Sequence, residues 1–534
     1  MNQALADSYH MEAKQYASQK AFEQALTKVD AALEINKKNP AYWLTKAMIL
    51  DQLGRYVDVE PVWELITTLI PTNAAGWFYL GKTRAHLKKR KEAIDAYKKA
   101  LEIKPNGLEA MVNLADLLMD HKTEYDHFIL QAAIEEACTI MRRAIEIAPN
   151  RIEPLTEMGL ALMRLGKLQD ALPYFEKALD IAPTHSHTIV NNAFCHYQLG
   201  NFAEAERIYR IGMASGDWYA EFSLAQLLLL QGRMEEGLKH YDARLNPEEV
   251  PPRFDVFPRW RGEPLDGKTL LIWGEQGIGD ELMFASLIPP ILPQAKHIIL
   301  EMDPRLVDMY RRSFPMVEVV SRTPPDPTLE ARQDVDFQIP MGGLMALVQP
   351  KTDYPTRTGY LSAAEDKVAA YRMRYPERKG VLRVGVSWGS SRTETSRSRT
   401  ITLKEWIPIL RMENVEFYNF QYGETERELT HLKEETGIEI ITDPDVNPLT
   451  DMEHMAALMT HMDLVISCAN STVHLAGALG VPVWVMTPKV PSWRWLLERE
   501  DSIWYSCVRL FRQSELWSWD DVVLRIADAL KRYR

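Results

Sequence analysis

The chain predicts two architectures in succession: a helical repeat array over its first half and two doubly wound parallel α/β units over its second. Three observations carry this. A 34-residue period runs through residues 7–245. The Pro-rich stretch NPEEVPPRFDVFPRWRGEPLDGK then breaks the helical pattern. After it, short β-rich runs alternate with helix-length segments in two separate series.

The period is visible on aligning FEQALTKVDAALEI, KEAIDAYKKALEIKP, IEEACTIMRRAIEIAP, LQDALPYFEKALDIAP and FAEAERIYRIGMASG. Their small residues fall at Ala25, Ala93, Ala137, Ala171 and Ala205, with Val59 in a degenerate repeat between the first two. The spacings are 34, 34, 44, 34 and 34 residues. Trp43 and Trp77, Pro71 and Pro105, Pro149 and Pro183, and Gly166 and Gly200 repeat at the same interval. A small residue on the second helix of each unit lets two helices approach, and a helix pair of this kind buries its apolar face only against its neighbours. The 44-residue spacing places ten extra residues around DHKTEYDHFILQ. About six and a half repeats result, in a pattern that resembles the tetratricopeptide repeat. Such an array offers a concave surface for an acceptor or partner protein, and also a route to oligomers. Tyr42, Trp43 and Trp77 suit helix packing better than ligand contact.

In the second half, TLLIW, HIILEM, VEVV and VDFQIP form one strand series; LRVGVSW, VEFYNF, IEIIT, DLVISC and VPVWVM form another. Alternation with helices predicts two parallel sheets of Rossmann-like kind, with ligands beyond the carboxyl ends of the strands. The expected domains are a repeat array over 1–245, a linker over 246–267, and α/β domains over 268–378 and 379–534. The final helix, 522–533, is expected to cross back over both α/β domains.

Composition narrows the function classes. The net charge of −12 disfavours non-specific nucleic-acid binding, which needs phosphate-neutralising cations. No run of eighteen apolar residues predicts a membrane span, and MNQALADSYHMEAKQYA has neither the basic start nor the apolar core of a secretory signal. The four cysteines are scattered, which predicts a reduced, cytoplasmic protein without structural zinc.

Two glycine- or hydroxyl-bearing turns follow predicted strands. In WGEQGIGDELMF the strand ends at Trp273, and Gly274, Gly277 and Gly279 lead into a helix whose first turn carries Asp280 and Glu281. The spacing is G-x-x-G-x-G, neither the dinucleotide fingerprint nor a P-loop. An acid here repels phosphate, so Asp280 is either a helix cap or a cap that also serves as general base. Gly277, Gly279 and Glu281 are expected to form the acceptor-side wall. In ISCANSTVHLAGALG no acid occupies the first helical turn. The helix start at Asn470, Ser471, Thr472, Val473 and His474 can either hold a phosphate or simply be capped by Asn or Ser. The loop SWGSSRTETSRSRTITLKEW is basic, with Arg399 nearest the next helix. Trp493, Trp495, Trp504 and Tyr505 suit a core better than a stacking platform.

Together, GEQGIGDELMFASLIP, VGVSWGS, DLVISCANSTVHLAGALGVPVW and WRWLLEREDSIWYSCVRLFRQ resemble bacterial tetratricopeptide-repeat glycosyltransferases of the heptosyltransferase-like class. The layout is also similar to the O-linked N-acetylglucosamine transferases. The resemblance implies a GT-B pair of Rossmann-like domains, with the acceptor on the first and a nucleotide-sugar donor on the second. It implies metal-independent, inverting transfer without a cofactor. By motif, Asp280 becomes the base, Arg399 a donor-phosphate contact, and 469–476 the donor loop. The family's Asp-Thr pair in that loop is Ala469-Asn470 here. The expected activity is sugar transfer to Ser or Thr of a protein held by the repeats, flagellin being one such acceptor. The alternatives are transfer to a glycan or lipopolysaccharide, and a non-catalytic adaptor with a degenerate transferase domain.

Overall fold

A computed structural model describes residues 2–120, 127–324, 326, 328–348, 359–389 and 400–533. Fourteen helices, from Asn2–Ser18 to Met234–His240, occupy the first half of the described chain. The periodic small residues do what their spacing predicts. Ala25, Val59, Ala93, Ala137, Ala171 and Ala205 all have no exposed surface. Between them the helix starts repeat as well. Asn39 accepts from the Ala41 N–H, and 34 residues on Asn73 accepts from Ala75 and Gly76. Part of the ten-residue excess lies in one helix. His127–Ile147 has 21 residues, against 14 in Arg90–Ile103 and in Leu168–Ile181.

The packing boundary falls earlier than the end of the repeat pattern. The chain divides into compact units at 1–195 and 196–534. In the second unit, the Phe202–Ala214, Trp218–Leu230 and Met234–His240 helices fold with the α/β part. Leu497 N–H donates to Leu230 O at 3.2 Å, and the Tyr197 hydroxyl donates to Pro491 O at 3.0 Å.

That unit holds two wholly parallel sheets. The first comprises β1 (Thr269–Trp273), β2 (His297–Met302), β3 (Glu318–Ser321) and β4 (Phe337–Pro340), in the order β3-β2-β1-β4. The second comprises β5 (Leu382–Ser387), β6 (Val415–Asn419), β7 (Leu464–Cys468), β8 (Val483–Thr487) and β9 (Val508–Arg512), in the order β6-β5-β7-β8-β9. Every residue of β1, β7 and β8 is buried, as expected of strands covered on both faces. One apolar cluster runs through both sheets, from Leu270 and Ile272 to Val465, Val483 and Leu510.

Four expectations need correction. IEIIT is not a strand; it contributes only a bridge between Ile441 and Tyr418 beside edge strand β6. VRLFR, left out of the expected strand series, is edge strand β9, in register with β8. The linker is pinned rather than free: Trp260 N–H donates to Gln338 O at 2.8 Å, and Phe254, Phe257 and Trp260 are buried. The last helix, Asp520–Arg532, does not cross both α/β domains; it buries Val522, Val523, Ile526 and Leu530 in the second sheet's own cluster with Trp406. Among the described residues, no helix is long and apolar enough to cross a membrane.

Gly159 tests the close approach of paired helices. A Cβ there would sit 2.5 Å from the Phe175 ring. Gly159→Val is expected to destabilise the first unit by about 1–3 kcal/mol through overpacking, measured by urea denaturation. An unchanged midpoint would mean that the helices separate freely.

Candidate functional site

The two glycine- and hydroxyl-bearing turns lie 190 residues apart in sequence and meet in space. β1 ends at Trp273, and the chain turns through Gln276, held at φ 60°, into the Ile278–Phe284 helix. β7 ends at Cys468 and leads into the Ser471–Leu479 helix. These helices pack directly on each other. Gly279 is the point of contact: a Cβ there would stand 3.1 Å from His474 Cδ2 and 3.5 Å from Ser471 Cα. Glycine is favoured there by that close approach and not by its backbone angles.

Asp280 is 6 % exposed and faces two ways. Oδ2 accepts from the Gly277 N–H at 3.3 Å, which is the capping role. Oδ1 accepts from Arg494 Nη2 in an ion pair. Arg494 belongs to the short turn Trp493–Trp495 after β8. Its Nη1 donates to Ser492 Oγ at 2.9 Å, and its guanidinium lies 4.9 Å from the centre of the Trp493 ring. Burial by itself lowers the guanidinium, but the Asp280 carboxylate outweighs it and raises Arg494 above its ordinary value. Sequence reasoning passed over Arg494 because it stands among tryptophans. The signal was available, since a lone cation inside an aromatic run needs an anion to be buried.

Other members of the set are used inside the protein. Asn470 accepts from Thr472 N–H at 3.0 Å, and from Ser467 Oγ at 3.1 Å. Its amide donates to Ser387 Oγ at 2.8 Å and Gly389 O at 3.0 Å. Both ends of the amide are therefore spent tying β7 to β5, so the side chain is a clasp and not the expected donor contact. Thr472 and Val473 have no exposed surface, which likewise removes their side chains from a ligand surface. Ser471 alone of these five keeps part of its surface. His474 is buried, stacked on Trp495 at 5.4 Å, with Nδ1 3.0 Å from the Tyr505 hydroxyl. Burial first, and then the Arg494 cation, lower its value to about 3, so the ring is neutral. Trp493, Trp495, Trp504 and Tyr505 are all buried, in keeping with packing.

Glu281 turns away from the meeting point. It has no exposed surface, so it is no wall for an acceptor. It pairs with Arg322 at 2.6 Å and accepts from Asp303 N–H at 2.8 Å. Burial pushes its carboxyl up to about 7 against the pull of Arg322. Arg399 lies outside the described residues.

The loop before Asp280 is braced by the end of the helical array. Arg244 makes a paired contact with Glu275, at 2.8 and 2.6 Å, and both residues are buried. Glu275 also accepts from Gly342 N–H at 2.8 Å. The Arg244 guanidinium covers the Tyr241 ring at 4.3 Å, and Tyr241 meets Trp493 edge-on at 5.6 Å. Among the described residues, no group of three or more His, Cys, Asp or Glu could hold a metal ion.

Two measurements probe this arrangement. Arg494→Met leaves Asp280 buried without its cation and is expected to cost the second unit about 3–5 kcal/mol in urea denaturation. A loss below about 1 kcal/mol would show the pair to be incidental. The second measurement is pH. Unfolded His474 takes a proton below its ordinary 6.5, whereas folded it resists to about 3. Its contribution is therefore full above 6.5 and falls as pH drops toward 3. Glu281 works in the opposite sense: its contribution is full below 4.5 and is lost as pH rises through about 7. His474→Gln is expected to lose less stability than the parent between about pH 6.5 and about pH 4, and equal losses would count against a buried neutral ring.

Comparison with known proteins bears on the helical half most directly. Residues 64–187 match the family described as the cytochrome c-type biogenesis protein H TPR domain. Residues 162–214 and 196–250 match tetratricopeptide-repeat families. This part of the chain therefore carries tetratricopeptide repeats. Protein FlbA of Caulobacter vibrioides (strain ATCC 19089 / CIP 103742 / CB 15) is 28 % identical over 522 residues, covering 94 % of this chain and 86 % of that protein. Human protein O-mannosyl-transferase TMTC3 is 24 % identical over 198 residues, covering 34 % of this chain but only 21 % of that protein. The crystal structure of YrrB, described as a TPR protein with an unusual peptide-binding site, is 19 % identical and covers 35 % of this chain and 91 % of that one, with a TM-score of 0.30.

Proposed function

We propose that the protein is a glycosyltransferase of GT-B architecture. It moves a sugar from a nucleotide-sugar donor to a hydroxyl of an acceptor protein gripped by the repeats, with flagellin as one fitting acceptor. The observation that carries this reading is the meeting of the two turns, each at the carboxyl end of a parallel sheet, with Asp280 between them. The extended similarity of the four motifs to heptosyltransferase-like enzymes supports it. So does partial similarity to a protein named as an O-mannosyl-transferase, although that covers a third of this chain.

In this reading Asp280 accepts the proton of the acceptor hydroxyl as its oxygen attacks the anomeric carbon, and the nucleotide departs through its phosphate oxygen. The carboxylate must first part from Arg494, whose guanidinium is then free for the charge that develops on the leaving group. Backbone N–H groups at the start of the Ser471–Leu479 helix lie on the same side, and the helix dipole there favours an anion. Transfer is inverting and uses no metal. Binding of the acceptor belongs to the repeat surface, which extends over many residues and suits a polypeptide better than a glycan or a lipopolysaccharide core.

A second reading has a specific observation in its favour. Ala469 and Asn470 stand where the resembled enzymes have Asp and Thr, and Asn470 is consumed in structure. A repeat adaptor with an inactive transferase domain would tolerate both. Turnover of UDP-, GDP-, ADP- and CMP-sugars, with mass spectrometry of proteins captured by the full chain, separates the two. One donor is expected to be turned over, and Asp280→Asn is expected to lower that turnover about 10²- to 10⁴-fold. Donor turnover that survives Asp280→Asn rules out the proposed base. Absence of turnover with every donor, in the presence of captured acceptor, favours the adaptor.

A further inference from the structure

The second sheet ends in a half-buried cation with no carboxylate beside it. Arg512 closes β9 in register with Thr487, the last residue of β8. One step beyond the Cys468–Met486 pair, Ala469 follows β7 at the level of Thr487. Alternation along the strands puts these three residues on the sheet face of Val465, Val483, Val485 and Leu510. The Arg512 side chain runs beneath the turn that presents Arg494. Its Nη2 donates to Leu496 O at 2.9 Å, and to Trp495 O and Arg499 O at 3.5 Å.

Two atoms are left over. Arg512 Nη1 is buried without a hydrogen-bond acceptor, and the hydroxyl of Thr487, a residue with no exposed surface, is buried without any partner. Burial pulls the guanidinium below its ordinary range, and among the described residues no carboxylate offsets it. Buried polar atoms are normally paired, so one guanidinium nitrogen and one hydroxyl left over at adjacent strand ends suit a shared oxyanion. The neighbouring strand end sharpens the point. An acid at 469 would bring a carboxylate to this edge, but Ala469 brings only a methyl group.

We propose that Arg512 and Thr487, with Ala469 beside them, form an oxyanion site at the carboxyl ends of β7, β8 and β9, which takes a phosphate or carboxylate group. That this group belongs to the sugar donor rests on the transferase reading; the anion site itself does not. Arg512 supplies charge through Nη1, and Thr487 donates its hydroxyl proton to the same oxyanion. The turn carbonyls keep the guanidinium in place.

Calorimetric titration of the full chain at constant ionic strength tests this, with inorganic pyrophosphate, orthophosphate and acetate as separate probes. Saturable binding is expected for at least one. Pyrophosphate or orthophosphate binding assigns a phosphate, and acetate binding alone assigns a carboxylate. Thr487→Val is expected to weaken it about fivefold through loss of one hydrogen bond. Ala469→Asp, which supplies an internal carboxylate, is expected to weaken it at least tenfold, about the effect of one added charge. Both variants leave the Arg512 contacts to the turn intact, so they remain informative where removal of Arg512 unfolds the turn. No saturable binding of any probe, or equal affinity in the parent and both variants, overturns the site. Sugar transfer with an unchanged donor KM in Ala469→Asp would remove the donor from this site while leaving the transferase reading standing. Anion binding that responds to both variants, without sugar transfer from any donor, would leave the site standing and remove that reading.

Discussion

Everything in the α/β half follows from how closely the starts of two helices approach. Gly279 on one and His474 on the other meet so closely that an added Cβ would stand 3.1 Å from the His474 ring, so the first turns of the two helices share one contact. Asp280 and His474 are both buried at this contact, each 6 % exposed. The single acid of the first helix start that faces the contact must find its counter-charge from the other sheet. Arg494 meets this need, and its own turn is fixed by aromatic packing and by a hydrogen bond from Trp504 Nε1 to the Arg494 carbonyl at 3.1 Å. A neutral His474 follows from the same burial, because a second cation beside Arg494 would be repelled. One contact thus sets the charge state of three side chains.

Buried charge recurs behind this contact. Glu275 is answered by Arg244, Asp280 by Arg494, and Glu281 by Arg322, so three acids within seven residues are each claimed by a different segment of the chain. Such pairs add little net stability, but removing one partner is costly. Their effect is to fix where the loop lies. The helical array, the first sheet and the second sheet each hold one of its acids, and the loop shifts only if at least one ion pair yields.

The periodicity of the first half was legible because repeats leave a signal in every unit. Ala25, Ala93, Ala171 and Ala205 announce the buried crossing of paired helices without any knowledge of tertiary contacts. The strands β1, β2, β7 and β8 were equally legible as continuous apolar runs. β9 was missed because VRLFR is an edge strand with two arginines, Arg509 and Arg512, that break its apolar run, and IEIIT reads as a strand without being one because a hydrophobic run beside a sheet need not extend it. The candidate site was half visible. Motifs marked Asp280 and the 470–474 turn, and each motif had a capping alternative. Which atoms of Asn470 and Asp280 are already engaged depends on partners 81 to 214 residues away, and no local pattern encodes that. Arg494 and Arg512 belong to the same class: their meaning lies in what stands opposite them.

The division of the chain at residues 195 and 196 has a consequence for how such a protein can change over generations. Tyr241 and Arg244 belong by sequence pattern to the array, yet by contact they are part of the wall that braces Glu275. The final helices therefore belong to the fixed packing of the second unit, while a change in the number of repeats before residue 195 leaves that packing untouched. Duplication or deletion of one 34-residue unit upstream alters the length of the array and leaves every bond to the Glu275 loop intact. The two parts can then diverge at different rates along a single chain, with the seam set inside the repeats rather than after them.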